Sequence, residues 1–276
     1  MATIGIFNTL TIIDIIEHGA ILDGANLGEI LLPNRYVPKD AKIENQVDVF
    51  LYNDSLDRLV ATTDKPKAKI GEFASLKVIQ VNKIGAFLDW GLPKDLLVPF
   101  NQQHSTMEVN KNYLVRLYLD EKTSRVVATS KIDRFLDIYP ADYATGEEVN
   151  LIIGPRTDLG FKTIINGQHW GLIFQSDIFQ PLRTGLTIKG YIKEVREDGR
   201  VTVILSRTGK DKVNDFTEVF LKYLAKNDGF TSINDKSSPT EIQKVFGVSK
   251  KAYKQTVGHL LKLKKIEFSN NGIKLL

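Results

Sequence analysis

Aromatic and basic side chains are the residues of this chain whose types and spacing could contact a ligand. In the segment GAFLDW, the alternation of strand side chains places Phe87 on one face and both Leu88 and Trp90 on the other. If Leu88 and Trp90 are core residues, Phe87 is an exposed ring that can stack on a nucleobase, a contact worth about 1–3 kcal/mol. The alternative interpretation is that the Phe87 ring only caps the end of its domain.

Three cations accompany this ring. Lys83 lies in the tight turn before it, and Arg125 and Lys131 follow later in the same part of the chain. We expect all three near one sheet edge, where they could hold the phosphates next to a stacked base.

A second basic cluster lies near the C-terminus, where no acidic residue occurs between Ser249 and Lys265. A helical projection separates an apolar face from a basic one. The predicted core face consists of Tyr253, Thr256, Val257, Leu260 and Leu263. The basic face and its extension towards the hairpin contain Lys250, Lys251, Lys254, Lys262, Lys264 and Lys265. Contact with phosphate is favoured over a merely solvated lysine face.

This C-terminal segment contains no arginine, because every arginine of the chain precedes residue 211. It therefore lacks the forked donor that most often recognises guanine, and its lysines act as point charges. The pattern favours weakly specific nucleic-acid binding over recognition of a defined operator.

The elements that must position these residues follow from an internal repeat. Glycines stand 14 residues apart in three places, as Gly5 and Gly19, Gly71 and Gly85, and Gly146 and Gly160. Another 14 residues on stand Pro33, Pro99 and Phe174, and Arg58, Arg125 and Arg200 follow the second glycine by 39 or 40 residues. Markers that keep register across three copies predict three tandem domains of one type.

Each copy consists of about five short β-type runs separated by turn signals, which favours a small closed barrel over a sandwich. One continuous large β-domain is the less favoured alternative. The predicted domains are residues 1–65, 66–134 and 135–210, followed by a different domain at 211–276.

The last domain changes to helical periodicity. Its first helix has the apolar set Val213, Phe216, Val219, Phe220, Tyr223 and Leu224. Pro239 and Gly247 delimit a second helix, Ser249 opens a third, and Asn271–Gly272 suits the turn of a terminal hairpin. Three helices followed by a hairpin is the order of a winged helix, with the third helix as the candidate recognition helix.

Copies one and three differ from copy two at the Phe87 position. Copy one has Ile21 there, and its segment carries ten acidic against five basic residues. We expect it to bind nucleic acid poorly and to serve as a packing or partner module. Copy three has Phe161 one place earlier and Lys162 at the position itself.

Further candidates in copy three are a ring and two cations. Phe174 stands where the other copies have proline, and Arg200 and Arg207 belong to the same copy. Stacking by Phe161 or Phe174 and simple core packing by the same rings are both left open.

Composition excludes several classes of protein. The chain has 276 residues with no cysteine, which rules out disulfides, thiol catalysis and cysteine-based zinc sites. It has only four scattered histidines, and no phosphate loop, HExxH or GxSxG motif. A nuclease that uses clustered carboxylates and a metal is a minor alternative, but the acids mostly lie in turns, where Asp is favoured locally.

The net charge of +4 is unevenly distributed. The four predicted domains carry −5, +4, 0 and +5 in order along the chain. Two basic blocks suggest a polyanionic partner. The apolar N-terminal run has no preceding Lys or Arg and is interrupted by Asp14 and Glu17, so we expect neither a signal peptide nor a membrane span.

The copies resemble the S-one (S1) RNA-binding domain, which is an OB-fold module. The order of three such domains and a winged helix resembles the conserved virulence factor B family, with GAFLDWGLPKDLLVP, TDLGF, IKEVREDGRV and KSSPTEIQKVFGVSKKAYKQTVGHL as the similar segments. The resemblance implies a cytoplasmic RNA-binding protein that affects gene expression, in some members including virulence genes.

The resemblance also implies site residues. The aromatic position maps to Phe87, and Ile84 stands where many S1 domains have a second ring. The histidine that is frequent in S1 domains maps to Pro33, Pro99 and Phe174, so no copy has it at that position. The Asp and Arg of the last turn map to Asp54 and Arg58, Asp120 and Arg125, and Asp198 and Arg200.

The sequence therefore predicts a monomeric, non-catalytic cytoplasmic protein without cofactor or metal. Its expected partner is single-stranded RNA, bound by the second and third barrels and the winged helix. The alternative is a winged-helix regulator that binds DNA and uses its barrels to dock proteins.

Overall fold

A computed structural model describes residues 1–178, 180–205, 209–269 and 271–276. These residues form two compact units, Met1–Arg134 and Phe135–Leu276. The first unit holds two five-stranded sheets, and the second holds a third such sheet and a helical domain. The protein is mainly β with a C-terminal α+β domain, which confirms the predicted fold class.

The first barrel is a closed sheet. Its strands are β1 Phe7–Ile16, β2 Gly19–Asp23, β3 Glu29–Pro33, β4 Gln46–Asn53 and β5 Leu59–Thr62. Their order is β1-β2-β3-β5-β4, and β4 pairs back onto β1. The seam between β3 and β5 is one parallel pair, Leu31 with Val60. This order is that of a five-stranded OB-like barrel.

The second barrel repeats this strand order. Its strands are β6 Phe73–Asn82, β7 Gly85–Asp89, β8 Leu96–Pro99, β9 Asn112–Asp120 and β10 Arg125–Thr129. Within the described residues no ladder joins β8 to β10, so the sheet stays open where closure was predicted. The matching seam of the first barrel is a single residue pair. The closed and the open sheet therefore differ by few backbone hydrogen bonds.

The third barrel is closed again, with the order β11-β12-β13-β15-β14. Its strands are β11 Glu148–Thr157, β12 Gly160–Ile165, β13 His169–Phe174, β14 Thr187–Val195 and β15 Val201–Ile204. Two parallel pairs, Gly171 with Val201 and Leu172 with Thr202, join β13 to β15.

The 14-residue spacing of the repeat has a structural cause. In each barrel the second glycine pairs across the hairpin with the residue 14 positions later, as Gly19 with Pro33, Gly85 with Pro99 and Gly160 with Phe174. A Cβ atom at Gly85 would lie 2.3 Å from the carbonyl oxygen of Val98, and at Gly160 1.9 Å from that of Ile173. Only glycine allows this close approach of two backbones.

The two barrels of the first unit share a hydrophobic core. Phe50 and Tyr52 of β4 lie in the same buried cluster as Leu88 and Trp90 of the second barrel. The rings of Phe50 and Trp90 meet edge to face, with centroids 5.8 Å apart. The first barrel is therefore packed against the second as part of one folded body.

The C-terminal domain has three helices and a small sheet. Its elements are α1 Gly209–Lys226, β16 Phe230–Thr231, α2 Pro239–Phe246, α3 Lys250–Lys262, β17 Ile266–Ser269 and β18 Gly272–Leu275. The short strand β16 pairs with β18, which gives the helix and strand order of a winged helix. Sequence periodicity does not reveal β16, because two residues are too few to show alternation.

The predicted helix ends of this domain are observed. Ser238 forms a capping box with Glu241, Pro239 is the first residue of α2, and Gly247 caps its end in the left-handed conformation. Ser249 caps α3 through its side chain. The predicted hairpin is present, but its turn differs from the prediction. Gly272 pairs with Ser269 and belongs to β18, so it is not a turn residue.

The core face of α3 is also corrected at one position. Tyr253, Val257 and Leu260 are buried as predicted, but Leu263 is 52% exposed. Leu263 is the C-terminal cap of α3, where the helical projection no longer applies.

Candidate nucleic-acid interface

The outer face of the third barrel carries a row of large side chains. Along β13 the half-buried residues Trp170, Leu172 and Phe174 alternate with the more deeply buried His169 and Ile173. Strand geometry puts Trp170 and Phe174 about 13 Å apart on the same face. Two different bases of a nucleic-acid strand can therefore stack on these two rings.

A lysine of the neighbouring strand lies against the first ring of this row. Lys162 of β12 pairs with Leu172, and its Nζ atom lies 3.9 Å from the centre of the Trp170 ring. This is a cation–π contact. It fixes a positive charge and a π surface side by side.

These residues line an open groove of about 1280 Å³. One wall is the segment between β11 and β12, with Asp158 and Leu159, and another is the turn between β14 and β15, with Arg196 and Arg200. The ion pair between Arg200 and Asp198 has a separation of 3.6 Å, and the arginine side chain remains 79% exposed. The groove thus combines apolar and aromatic side chains with charges of both signs.

The sequence analysis proposed Phe174, Lys162 and Arg200 and did not single out a second aromatic residue and a further arginine of this groove. Trp170 and Arg196 both line it. The signal for Trp170 was available, because HWGLIF alternates small or buried residues with large outward ones. Arg207 lies outside the described residues.

Phe161 has a different place from the one proposed for a stacking ring. It stands one residue after Gly160, as the fully buried Ala86 stands after Gly85, and this position faces the barrel interior. The ring packs against the core of the third barrel. Strand alternation therefore gives Phe161 a core role and leaves the outward position to Lys162.

The second barrel presents its candidate ring beside the first barrel. Leu88 is fully buried and Trp90 is 2% exposed, whereas Phe87 is half-buried on the opposite face of β7. Phe87 lines a small cavity of about 100 Å³ together with Tyr52 of the first barrel and Leu97 of β8.

The cations around Phe87 differ in what they contact. Arg125 forms an ion pair with Asp57 of the first barrel, and Lys94 contacts the same carboxylate at 3.1 Å. Lys83 and Lys131 are exposed. Asp120 accepts a hydrogen bond from the Thr123 hydroxyl at 2.6 Å.

Local contacts shift the pKa of three carboxyl groups in the first unit. Burial raises the pKa of Asp54, but hydrogen bonds from Arg58 and from backbone amides outweigh it and leave the pKa lowered. A hydrogen bond from Lys67 lowers the pKa of Asp89. Burial, and then the charge of Asp89, raise the pKa of Asp95, which lines the Phe87 cavity.

The winged-helix domain presents the predicted basic face. Lys250 is half-buried, and the exposed lysines on and just after α3 are Lys251, Lys254, Lys262, Lys264 and Lys265. The helix is held from its other side by Tyr253, whose hydroxyl donates a hydrogen bond of 2.7 Å to the carbonyl of Ile233. Burial raises the pKa of this phenol.

The described residues show neither a metal-binding cluster nor a membrane-spanning helix. No group of three or more His, Asp or Glu side chains in that part of the chain is arranged to hold a metal ion. None of the helices described there has the length and apolar character needed to cross a membrane.

Family models match three parts of the chain. The S1 domain matches residues 4–64 and 70–131, and the CvfB-like winged helix domain matches residues 218–275. These matches fall on the first barrel, the second barrel and the C-terminal domain.

Several proteins are similar over most of the chain. "Uncharacterized protein YitL" of Bacillus subtilis is 28% identical over 88% of this chain and 84% of its own length. "Conserved virulence factor B" of Staphylococcus epidermidis is 24% identical over 99% of this chain and 94% of its own. A crystal structure from Streptococcus pneumoniae, described as a multidomain protein with nucleic acid binding domains, matches 99% of this chain at 24% identity and a TM-score of 0.46.

The barrels, their outer faces and the C-terminal domain define a class of protein in which S1-type OB barrels precede a winged helix, both of them nucleic-acid-binding domain types. Within that class, the S1 and CvfB-like winged-helix matches and the full-length relatives agree. The chain is therefore similar over nearly its whole length to proteins named conserved virulence factor B.

Proposed function

We propose that this protein is a monomeric, non-catalytic regulator that binds single-stranded RNA in the cytoplasm and controls gene expression after transcription. The observation that carries the proposal is the row of Trp170 and Phe174 on the third barrel, with Lys162 on the first ring. OB folds bind oligonucleotides on the face of their second and third strands and on the adjoining loops. The groove lies on that face.

The other proposed contacts are Phe87 and Arg125 of the second barrel and the exposed lysines of α3. Each site alone is small. Sites on one chain act together, because binding at one raises the local concentration of the strand at the next. The domain boundaries 1–65, 66–134, 135–210 and 211–276 remain predictions. The relatives named conserved virulence factor B support regulation of virulence genes as part of this proposal.

A second candidate function is transcriptional regulation through duplex DNA. The observation in its favour is the lysine face of α3, which is exposed on the helix that enters the major groove in helix-turn-helix proteins. The absence of arginine from residues 211–276 argues against base-specific recognition there.

A titration of the full chain against three ligands tests the proposal. The ligands are a single-stranded RNA of about twelve nucleotides, the matching single-stranded DNA and the DNA duplex, across a salt series with and without magnesium. We expect the tightest binding to RNA, with the RNA left intact. Preference for the duplex would move the function to the winged helix, and magnesium-dependent loss of RNA would indicate a nuclease.

A further inference from the structure

A carboxylate of the first barrel contacts two cations of the second barrel at once. The Nζ atom of Lys94 lies 3.1 Å from one carboxylate oxygen of Asp57 and donates a hydrogen bond of 2.7 Å to the carbonyl of Asp54. Arg125 donates to the other carboxylate oxygen of Asp57. The turn between β4 and β5 is therefore tied to the second barrel through charge-assisted hydrogen bonds.

This contact lies beside the face of the second barrel that β7 and β8 form. Lys94, Arg125 and Phe87 line the same cavity of about 100 Å³, to which the first barrel contributes Tyr52 and Asn53. Phe87 and Leu97 are the outward side chains of β7 and β8, the second and third strands of the barrel. OB folds use this face for ligands.

The fold of the turn does not require a carboxylate at this position. Asp57 has a φ of 61°, and the residue before the corresponding arginine is Ser124 with 53° in the second barrel and Gly199 with 77° in the third. The three turns thus share a left-handed residue there, and a hydroxyl or no side chain serves equally well. The charge of Asp57 is an addition specific to the first copy.

We propose that Asp57 is an internal competitor of phosphate, through which the first barrel restricts the access of single-stranded nucleic acid to the Phe87 face. Carboxylate and phosphate oxygens accept hydrogen bonds from the same Lys and Arg donors. A phosphate that engages the same donors of Lys94 and Arg125 competes with Asp57 for them. The acidic first barrel, which lacks a stacking ring at Ile21, thus regulates its neighbour. This inference rests on the proposed function.

The test compares Asp57→Asn with the wild-type full chain. Asparagine tolerates the left-handed conformation and has nearly the same shape, but it carries no charge. We expect the affinity for a labelled single-stranded oligonucleotide to rise by about two- to tenfold, the range of one or two exposed ion pairs. The slope of log affinity against log salt should steepen by up to about one unit, because released cations now meet phosphate.

Two further variants make the test specific. Asp48→Asn removes a charge at the other end of β4, where the carboxylate accepts a hydrogen bond from Thr9, and should leave the affinity nearly unchanged. In a background of Lys94→Met and Arg125→Met, Asp57→Asn should give no gain, since the gain acts through the donors that Asp57 engages.

Each outcome decides between the inference and the proposed function. An unchanged or weaker affinity of Asp57→Asn, with normal binding by the wild type, overturns the inference alone. A gain that persists without Lys94 and Arg125, or that Asp48→Asn reproduces, also overturns it. Failure of both the wild type and Asp57→Asn to bind any single strand would overturn the proposed function as well.

Discussion

The Nζ atom of Lys162 lies 3.9 Å from the centre of the Trp170 ring, on the outer face of the third barrel. Trp170 is half-buried, so part of its side chain is accessible to another planar group. A base that stacks beside this lysine brings its own phosphate close to a fixed positive charge. Under the proposed function, the pair would combine stacking and charge neutralisation in one place.

Trp170→Ala is expected to weaken the binding of single-stranded RNA with little loss of stability. Stacking on an aromatic ring contributes about 1–3 kcal/mol per base, so the dissociation constant should rise about five- to 150-fold. Fluorescence anisotropy with a labelled oligonucleotide measures the change. Phe100→Ala, which removes a ring that is 47% exposed in the second barrel, is the control and should bind normally. Equal losses in both variants would contradict a specific role for Trp170.

The same ring can report its own contact. The chain contains two tryptophans, Trp90 and Trp170, so Trp90→Phe leaves Trp170 as the single indole. We expect its emission to be quenched as single-stranded RNA is added, because a stacked base lies directly on the ring. Anisotropy of the labelled RNA, followed in parallel, shows that the complex forms. Full binding with unchanged emission would place the nucleic acid elsewhere on the protein.

Phe87→Ala is expected to weaken binding several-fold while the melting temperature changes little. The ring is half-buried on the outer face of β7, whereas Leu88 next to it is fully buried. Leu88→Ala is therefore the matched control and should lose about 2–5 kcal/mol of the free energy of unfolding. Thermal unfolding and anisotropy measure the two effects. A large loss of stability in Phe87→Ala would show that the ring is a core residue.

The sequence predicted the architecture because the repeat has a local cause. The glycine at each hairpin is required by the approach of two backbones, and its partner 14 residues later is set by strand pairing, so both leave marks in the sequence. Helix ends were equally accessible, since capping depends on Ser238, Pro239 and Gly247 and their immediate neighbours.

Contacts between distant segments were not accessible in this way. The pairing of Asp57 with Lys94 and Arg125 depends on how the first barrel packs against the second, and no spacing in the sequence encodes that contact. The identity of Phe161 as a core residue depended on strand register. A shift of one residue along a strand reverses the inward and outward faces, so a ring one place earlier has a different role.

The carboxyl groups near Phe87 are expected to titrate in a defined order. The pKa of Asp89 is lowered by the hydrogen bond from Lys67, and the pKa of Asp95 is raised by burial. As the pH falls, Asp95 should protonate before Asp89, which carbon-detected NMR of the carboxyl groups can follow.

A lysine substitution tests the cause of the Asp89 shift. Lys67→Met should raise the pKa of Asp89 towards its ordinary value, while Lys77→Met should do so less, because Lys77 is a weaker contributor. The stabilisation from this ion pair is present above the ordinary Asp pKa and is lost as the pH falls through the lowered one. Both side chains are nearly half exposed, so the effect on stability is small. An unchanged pKa of Asp89 in Lys67→Met would contradict the assignment.

The lysines of α3 are expected to contribute to binding through phosphate contacts. Replacing Lys250, Lys251 and Lys254 together by Ala should reduce the slope of log affinity against log salt by up to about 2 units for a single-stranded ligand, since each phosphate contact adds about 0.7. The matched control replaces Lys222, Lys226 and Lys236, which are exposed in the same domain but lie outside α3. If contact is local to the helix, only the first variant changes the slope. Equal changes in the two variants would mean that the domain acts through its net charge, and no change in either would mean that this face does not meet phosphate.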